Sequence, residues 1–136
     1  MTRLDAYALV AFLAGGPAAP QVRAVLREGD AAAATANLVE VLDVTQRMRN
    51  VPVARTMEIL EPLLAGPLTA VPLETATARR AAELRAAYYH RSSRPISFAD
   101  AVLLASASEG DRIATADPDV LVVARSEGIQ TIELPG

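Results

Sequence analysis

The sequence predicts an α/β fold, a parallel sheet of about five strands alternating with helices, and two observations carry that prediction. Short β-like runs alternate with longer helical patterns along the whole chain, which is how strand–helix–strand units with parallel strands read in sequence. The chain has 136 residues, of which 51% are hydrophobic and 21% charged. That length suits one domain, residues 1–136, and so apolar a composition must bury a core. No internal repeat and no linker divides it; Ala richness is its one compositional bias.

In chain order, the first element is a very short strand, Met1 to Leu4, with Asp5 at its end. Ala6 to Leu13 is predicted helical and stopped by Gly15-Gly16-Pro17. A second helix runs from about Pro20 to Arg27 and closes at Gly29. Ala31 to Thr35 reads as a weak strand, because Ala favours helices. From Asn37 to Arg49, residues Leu38, Val41, Leu42, Thr45 and Met48 form a helical stripe, with Glu40, Asp43 and Arg47 together on another face. Asn50-Val51-Pro52 starts a further helix, whose buried stripe is Val53, Met57, Leu60 and Leu64 and whose stop is Gly66-Pro67. Leu68 to Leu73 is the third strand, Thr75 to Tyr89 an Ala- and Arg-rich helix, and Ser92-Ser93-Arg94-Pro95 a loop. Ser97 to Ser108 is the next helix. Arg112 to Thr115 is a strand, Pro118 to Glu127 a helix, and Gln130 to Leu134 the last strand, led in by Gly128.

Composition excludes several chemistries. There is no Cys, which removes disulfides, thiolate nucleophiles, iron–sulfur clusters and Cys-bound zinc. All 13 basic residues are Arg, and without Lys there is no P-loop, no Schiff base and no Lys-dependent phosphate clamp. The single His, His90, rules out multi-His metal sites, and no nucleophile-elbow sequence accompanies it. An enzyme of this composition works with carboxylates. The net charge of −3 gives no global attraction to nucleic acid, which leaves local Arg patches. Two Phe, three Tyr and no Trp are too few for a base-stacking sheet, so nucleic-acid contact is expected mainly at phosphate. The longest apolar run, Ala6 to Ala14, falls short of the ~20 residues of a spanning helix, so no membrane segment is expected. Behind Arg3 that run mimics a secretory signal, with Ala18-Ala19 as a cleavage site, but Asp5 breaks the pattern. The expected location is cytoplasmic.

In open parallel α/β sheets, ligands bind beyond the carboxyl ends of the strands. Asp5 ends the first strand and Asp117 follows the fourth. Glu40 and Asp100 lie in the first turn or two of helices that follow other loops, and a wound sheet brings their side chains toward the same rim. Each acid also has an ordinary structural reading. Asp5 and Asp117 are natural N-caps, with Pro118 at the first helical position behind Asp117. Ser97-Phe98-Ala99-Asp100 is a capping box. Glu40 reads equally as a solvated helix residue, and Asp43 with Arg47 as a surface pair.

Four segments, in this order and spacing, resemble the motifs of the PIN-domain nucleases. They are Leu4-Asp5-Ala6-Tyr7-Ala8-Leu9, Asn37-Leu38-Val39-Glu40-Val41, Ser97-Phe98-Ala99-Asp100-Ala101 running into Leu103-Leu104-Ala105, and Thr115-Ala116-Asp117. The resemblance spans essentially the whole chain, and the length matches the toxins of bacterial VapBC toxin–antitoxin pairs. It implies a PIN-like three-layer α/β/α fold, with the acids clustered in a cleft at the strands' carboxyl ends. It implies that Asp5, Glu40, Asp100 and Asp117 are the catalytic, metal-binding set. It gives Thr115 a supporting or water-positioning role, while Asp119 assists or only favours the helix N-terminus. One departure is the first strand, usually longer and apolar in the family. Here only Met1 to Leu4 precede Asp5 and Arg3 interrupts them, so either the edge of the site is less rigid or the start codon lies upstream.

Carboxylates forced together repel and lose solvation, so without a cation at least one pKa should rise. Hard oxygen ligands without His or Cys select Mg²⁺ or Mn²⁺, ions that activate a bound water and stabilise charge on a phosphate. The resemblance thus implies a metal-dependent endoribonuclease that needs no side-chain nucleophile. It further implies a VapB-like antitoxin whose tail covers the cleft, and a homodimer, for which apolar surface around Val53 to Leu64 is a candidate. RNA approaching an acidic pocket needs Arg at the rim. The candidates are Arg47, Arg79, Arg80, Arg85, Arg91 and Arg94, with Arg91 and Arg94 as the RNA-binding loop; the ordinary reading of each is a solvated face. Two other classes stay in view. Asp117-Pro118-Asp119 supplies the Asp-x-Asp of a toprim-like site without its glycine context, and a PIN-like fold also serves as a non-catalytic protein-binding module.

Overall fold

The computed structural model describes residues 1–136. Its elements follow in the order β1 (Thr2–Leu4), α1 (Ala6–Ala14), α2 (Ala19–Glu28), β2 (Ala31–Ala34), α3 (Thr35–Arg49) and α4 (Val53–Leu64). There follow β3 (Leu68–Val71), α5 (Thr75–Tyr88), α6 (Phe98–Ser106), β4 (Arg112–Thr115), α7 (Pro118–Ser126) and β5 (Gln130–Glu133). The strands form one sheet in the order β3-β2-β1-β4-β5, every pairing parallel. The chain winds from β1 through β2 to β3, then returns to lay β4 on the other flank of β1. The winding therefore reverses between β1 and β4, and such a switch point opens a crevice at the strands' carboxyl ends.

Successive side chains along a strand face opposite sides. Ala114 joins Leu4, Ala31, Ala33 and Leu68 in a core covered by Leu9, Val22, Leu26, Val41 and Leu60 from α1 to α4. Its neighbour Ile113 faces the other way, against Leu84, Leu103, Leu104, Val120 and Val123 of α5, α6 and α7. The sheet is thus the middle of three layers, as expected. Each fully buried Leu or Val contributes about 1.5–3 kcal/mol.

The expected strands and helices all form, and their ends differ for local reasons. β2 is four alanines, all buried. Helices on both faces of this strand leave room for methyl groups only, and tertiary packing overrides the helical preference of Ala. β3 stops at Val71, short of the expected Leu73, because Pro72 has no N–H for the ladder. α3 starts at Thr35, before the expected Asn37, which moves Glu40 into its second turn. α6 ends at Ser106 rather than Ser108.

Arg3, an apparent interruption of β1, is buried in a designed-looking contact. Its Nε donates to Asp111 Oδ2 at 2.8 Å and an Nη to Ser106 Oγ at 3.3 Å. Burial works to raise the Asp111 pKa, but hydrogen bonds from the Ser108 N–H, Arg3 and the N-terminal ammonium overcome it and hold the carboxyl at about 2. No single helix is long and apolar enough to cross a membrane.

Candidate active site

All four predicted acids lie at one end of the sheet, around the switch point. Asp5 leaves β1 and is 5% exposed. Its Oδ1 accepts the Ala8 N–H at 2.7 Å and so caps α1, while its Oδ2 accepts a short hydrogen bond from the Thr115 hydroxyl. Thr115, wholly buried at the end of β4, accepts the Asp117 N–H at 3.0 Å with that same oxygen. One hydroxyl therefore ties the acid after β1 to the acid after β4. Asp117 caps α7, its Oδ1 accepting the N–H groups of Asp119 at 2.8 Å and Val120 at 3.4 Å. Asp100 completes the predicted capping box on α6: its Oδ2 accepts the Ser97 N–H at 3.0 Å and its N–H donates to Ser97 Oγ at 3.0 Å. Glu40 projects half-buried from α3.

The acids act on one another. Burial pushes Asp5 from an ordinary 3.8 up to about 6, against the pull of its Thr115 and Ala8 hydrogen bonds, and the charges of Asp100 and Glu40 add to the rise. Glu40 is raised by burial and then by Asp100, Asp117 and Asp43. Asp100 is raised by burial, against its hydrogen bonds to Ser97, and further by Asp117 and Asp119. The predicted four, with Asp119, share one electrostatic field.

No three of these carboxylates are grouped as a ready-made cation cage. The donor set is nonetheless all oxygen, and like charges that raise one another's pKa are what a divalent cation relieves. The arrangement fits a hard ion such as Mg²⁺, which keeps several waters and takes one or two protein carboxylates.

The rim arginines divide into four kinds. Arg47 pairs with Asp43 at 3.0 Å and Arg79 with Glu83 at 3.9 Å, both on exposed helix faces. Arg80 pairs with Glu127 and lines a cavity with Gly110 and Gln130, at the amino ends of the strands and opposite the acids. Arg85 lies between the rings of Tyr89 and Phe98, 4.3 Å from each centroid. Arg91 is exposed, and Arg94 closes the same loop by backbone bonds of 2.9 Å each way with His90. That loop leads into α6, the helix of Asp100.

Asn37, which opens the second motif, carries a contact that the sequence does not show. Asn37 is wholly buried; its amide donates to the Ala99 carbonyl at 3.4 Å, and its Oδ1 has no partner. It ties α3, three residues before Glu40, to α6, one residue before Asp100. The available signal was a polar side chain spaced i, i+3 from an acid near a helix start, where both share a face.

The model of the PIN domain family matches residues 3–126. The chain belongs to the PIN-domain family. That match takes in all four acids together with Thr115 and Asp119, and the family is one of nucleases that generally use a divalent metal. Solved structures agree with this PIN-domain chain in fold. DNA-bound VapBC from Salmonella typhimurium superposes with a TM-score of 0.72 at 17% identity, covering 97% of this chain and 96% of that one. FitAcB from Neisseria gonorrhoeae gives 0.69 at 18% identity, covering 98% and 97%. A toxin–antitoxin complex from Klebsiella pneumoniae gives 0.61 at 19%, covering 86% and 87%. A search of curated proteins finds no match to this sequence.

Proposed function

We propose that this PIN-domain chain is the VapC-like toxin of a toxin–antitoxin pair and an endoribonuclease dependent on Mg²⁺ or Mn²⁺. Asp5, Glu40, Asp100 and Asp117 are its metal-binding and catalytic carboxylates. The observation that carries this reading is the shared field at the switch point, where Asp5, Glu40 and Asp100 are raised by burial and by neighbouring acids. When bound, the ion supplies charge neutralisation and activates water for attack on phosphorus. The chain's own residues do the rest. Thr115 fixes one oxygen of Asp5 by donating to it and orders the backbone of Asp117 by accepting from it. The caps of α1, α6 and α7 hold Asp5, Asp100 and Asp117 in single rotamers, so little ordering is left for the moment of binding. Asp119 adds charge next to Asp100. Arg91 and Arg94 offer guanidinium forks to RNA phosphates along the loop before α6.

The toxin–antitoxin descriptions of the fold neighbours support a VapB-like antitoxin as partner, and a toxin that cuts cellular RNA works in the cytoplasm. Val53, expected in the buried stripe of α4, is exposed, as is Ile59, and this apolar surface supports a homodimer through that helix.

The test is a calorimetric Mn²⁺ titration of the parent beside Asp5→Asn and Asp100→Asn, each checked for intact folding, followed by cleavage of single-stranded RNA. The parent binds and cleaves; both variants lose the ion and the activity. Full activity in Asp100→Asn overturns the carboxylate assignment. A parent that neither binds Mn²⁺ nor cleaves favours the non-catalytic protein-binding module.

A further inference from the structure

The chain has only two Phe and three Tyr, and two of these rings stand together beside the acids. Phe98 is the first residue of α6, two before Asp100, and is 75% exposed. So large an apolar side chain in water carries a free-energy cost, and the ring is nevertheless held in one place. The Arg85 guanidinium lies 4.3 Å from its centroid and 4.3 Å from that of Tyr89, and Arg85 Nε is anchored to the Ile96 carbonyl at 3.3 Å. One guanidinium is thus shared by the Tyr89 and Phe98 rings. Cation–π attraction from Arg85 restrains the Phe98 ring, most of whose surface remains open to solvent.

Phe98 lines a groove of about 650 Å³ shared with Val39, Leu73, Glu40 and Asp43. Val39 is 67% and Leu73 47% exposed, so the walls are apolar and accessible. Because Glu40 is one of the site's acids, the groove is continuous with the place where a phosphodiester must lie. Glu40 repels a phosphate and Asp43 is already neutralised by Arg47, so the groove suits the uncharged base of a nucleotide and not its backbone. A flat π-face bounded by small apolar walls matches that ligand.

We propose that Phe98 is the stacking platform for a nucleobase flanking the scissile phosphate, with Val39 and Leu73 as its walls. The proposal rests on the ribonuclease reading above and adds a base contact to it. Composition argues against a sheet of stacking aromatics; a single pre-ordered ring needs none.

Steady-state cleavage of a short single-stranded RNA tests it, using the parent, Phe98→Ala, Phe98→Leu and Phe98→Tyr. The same RNA is also made abasic on either side of the scissile bond in turn. Phe98→Ala raises KM about tenfold, the size of one base–aromatic stack, with kcat unchanged and a melting temperature within a few degrees of the parent's, since only the exposed contact with Arg85 is lost. Phe98→Tyr restores KM and Phe98→Leu does not. One of the two abasic substrates weakens the parent as Phe98→Ala does and adds nothing further to that variant. An unchanged KM in Phe98→Ala, or losses that simply add, overturns the stacking platform and leaves the ribonuclease reading standing. Full restoration by Phe98→Leu also overturns it and points to a protein segment as the occupant. A parent that does not cleave RNA overturns the reading beneath the proposal.

Discussion

Thr115→Val keeps the shape of a wholly buried side chain and deletes only its hydroxyl, a group bonded in two directions. Val cannot donate to Asp5, so the ionised carboxylate loses a charge-assisted hydrogen bond worth about 1.5–3 kcal/mol. The protonated acid loses less, and the difference appears in the titration. At about 1.4 kcal/mol per pH unit, the Asp5 carboxyl, held at about 6 with the hydroxyl in place, moves up by about one unit or more. Asp5 is then at least about half protonated at neutral pH, and Mn²⁺ affinity falls there while recovering in alkali. Carbon-13 NMR titration of Asp5 in the metal-free protein reads the shift directly, and calorimetry across the same pH range reads its consequence. Thr115→Ser, which keeps the hydroxyl, stays near the parent. The Val variant is also less stable by about 1–3 kcal/mol, since the Asp117 N–H loses its acceptor. An Asp5 titration unmoved by Val, or moved equally by Ser, refutes the link.

Three further outcomes follow from the same geometry. Because the folded-state pKa of Asp5 lies above its ordinary value, the stability linked to it is fully present below about 3.8 and is lost as pH rises through about 6. Asp5→Asn, with no charge to bury, therefore gains on the parent across that window, by up to about 3 kcal/mol near neutrality; denaturant melts that differ equally at all pH contradict this. Arg3→Met strips the buried Asp111 of one partner and costs about 3 kcal/mol in chemical denaturation. Cleavage per folded molecule stays at the parent level, because the Arg3–Asp111 pair sits at the amino ends of the strands. Replacing Arg91 and Arg94 together by Ala flattens the dependence of log Kd for single-stranded RNA on log salt by about 0.7 per lost phosphate contact, and an unchanged slope removes that loop from the RNA path.

The fold was legible because its signals are local and repeated. Gly15, Gly29 and Pro118 punctuate helices where their backbones require it, with Gly15 and Gly29 both at positive φ. β2 was the weakest reading because four alanines carry no strand signal of their own; only the helices packed on both faces make them a strand. Arg3 misled for a similar reason. Its partner Asp111 is far away in sequence, so the contact that makes a buried guanidinium acceptable in a central strand leaves no trace near Arg3. Of the candidate site, the rim positions of the acids follow from strand and helix ends, the capping box from its spacing, and the grouping of the four acids from the family resemblance, whereas the Asn37 contact and the Arg85 contacts with Tyr89 and Phe98 depend on how α3, α5 and α6 come together.

The capping and catalytic readings of the acids, which compete in the sequence, are compatible in the structure. A carboxylate has two oxygens, and the caps use Oδ1 of Asp5 and Asp117 and Oδ2 of Asp100. The cap fixes where the group sits, leaving lone pairs on the other oxygen for another partner, as Asp5 shows by taking Thr115 there. Capping normally lowers a carboxyl pKa, and the bonds from Ala8 and Ser97 do pull Asp5 and Asp100 that way. Burial and mutual repulsion overcome that pull, so these helix starts are less stable at neutral pH than caps in water would be. A fold selected for stability alone would separate the acids. Keeping them together at the switch point makes sense if a cation, and not the protein, completes the charge balance.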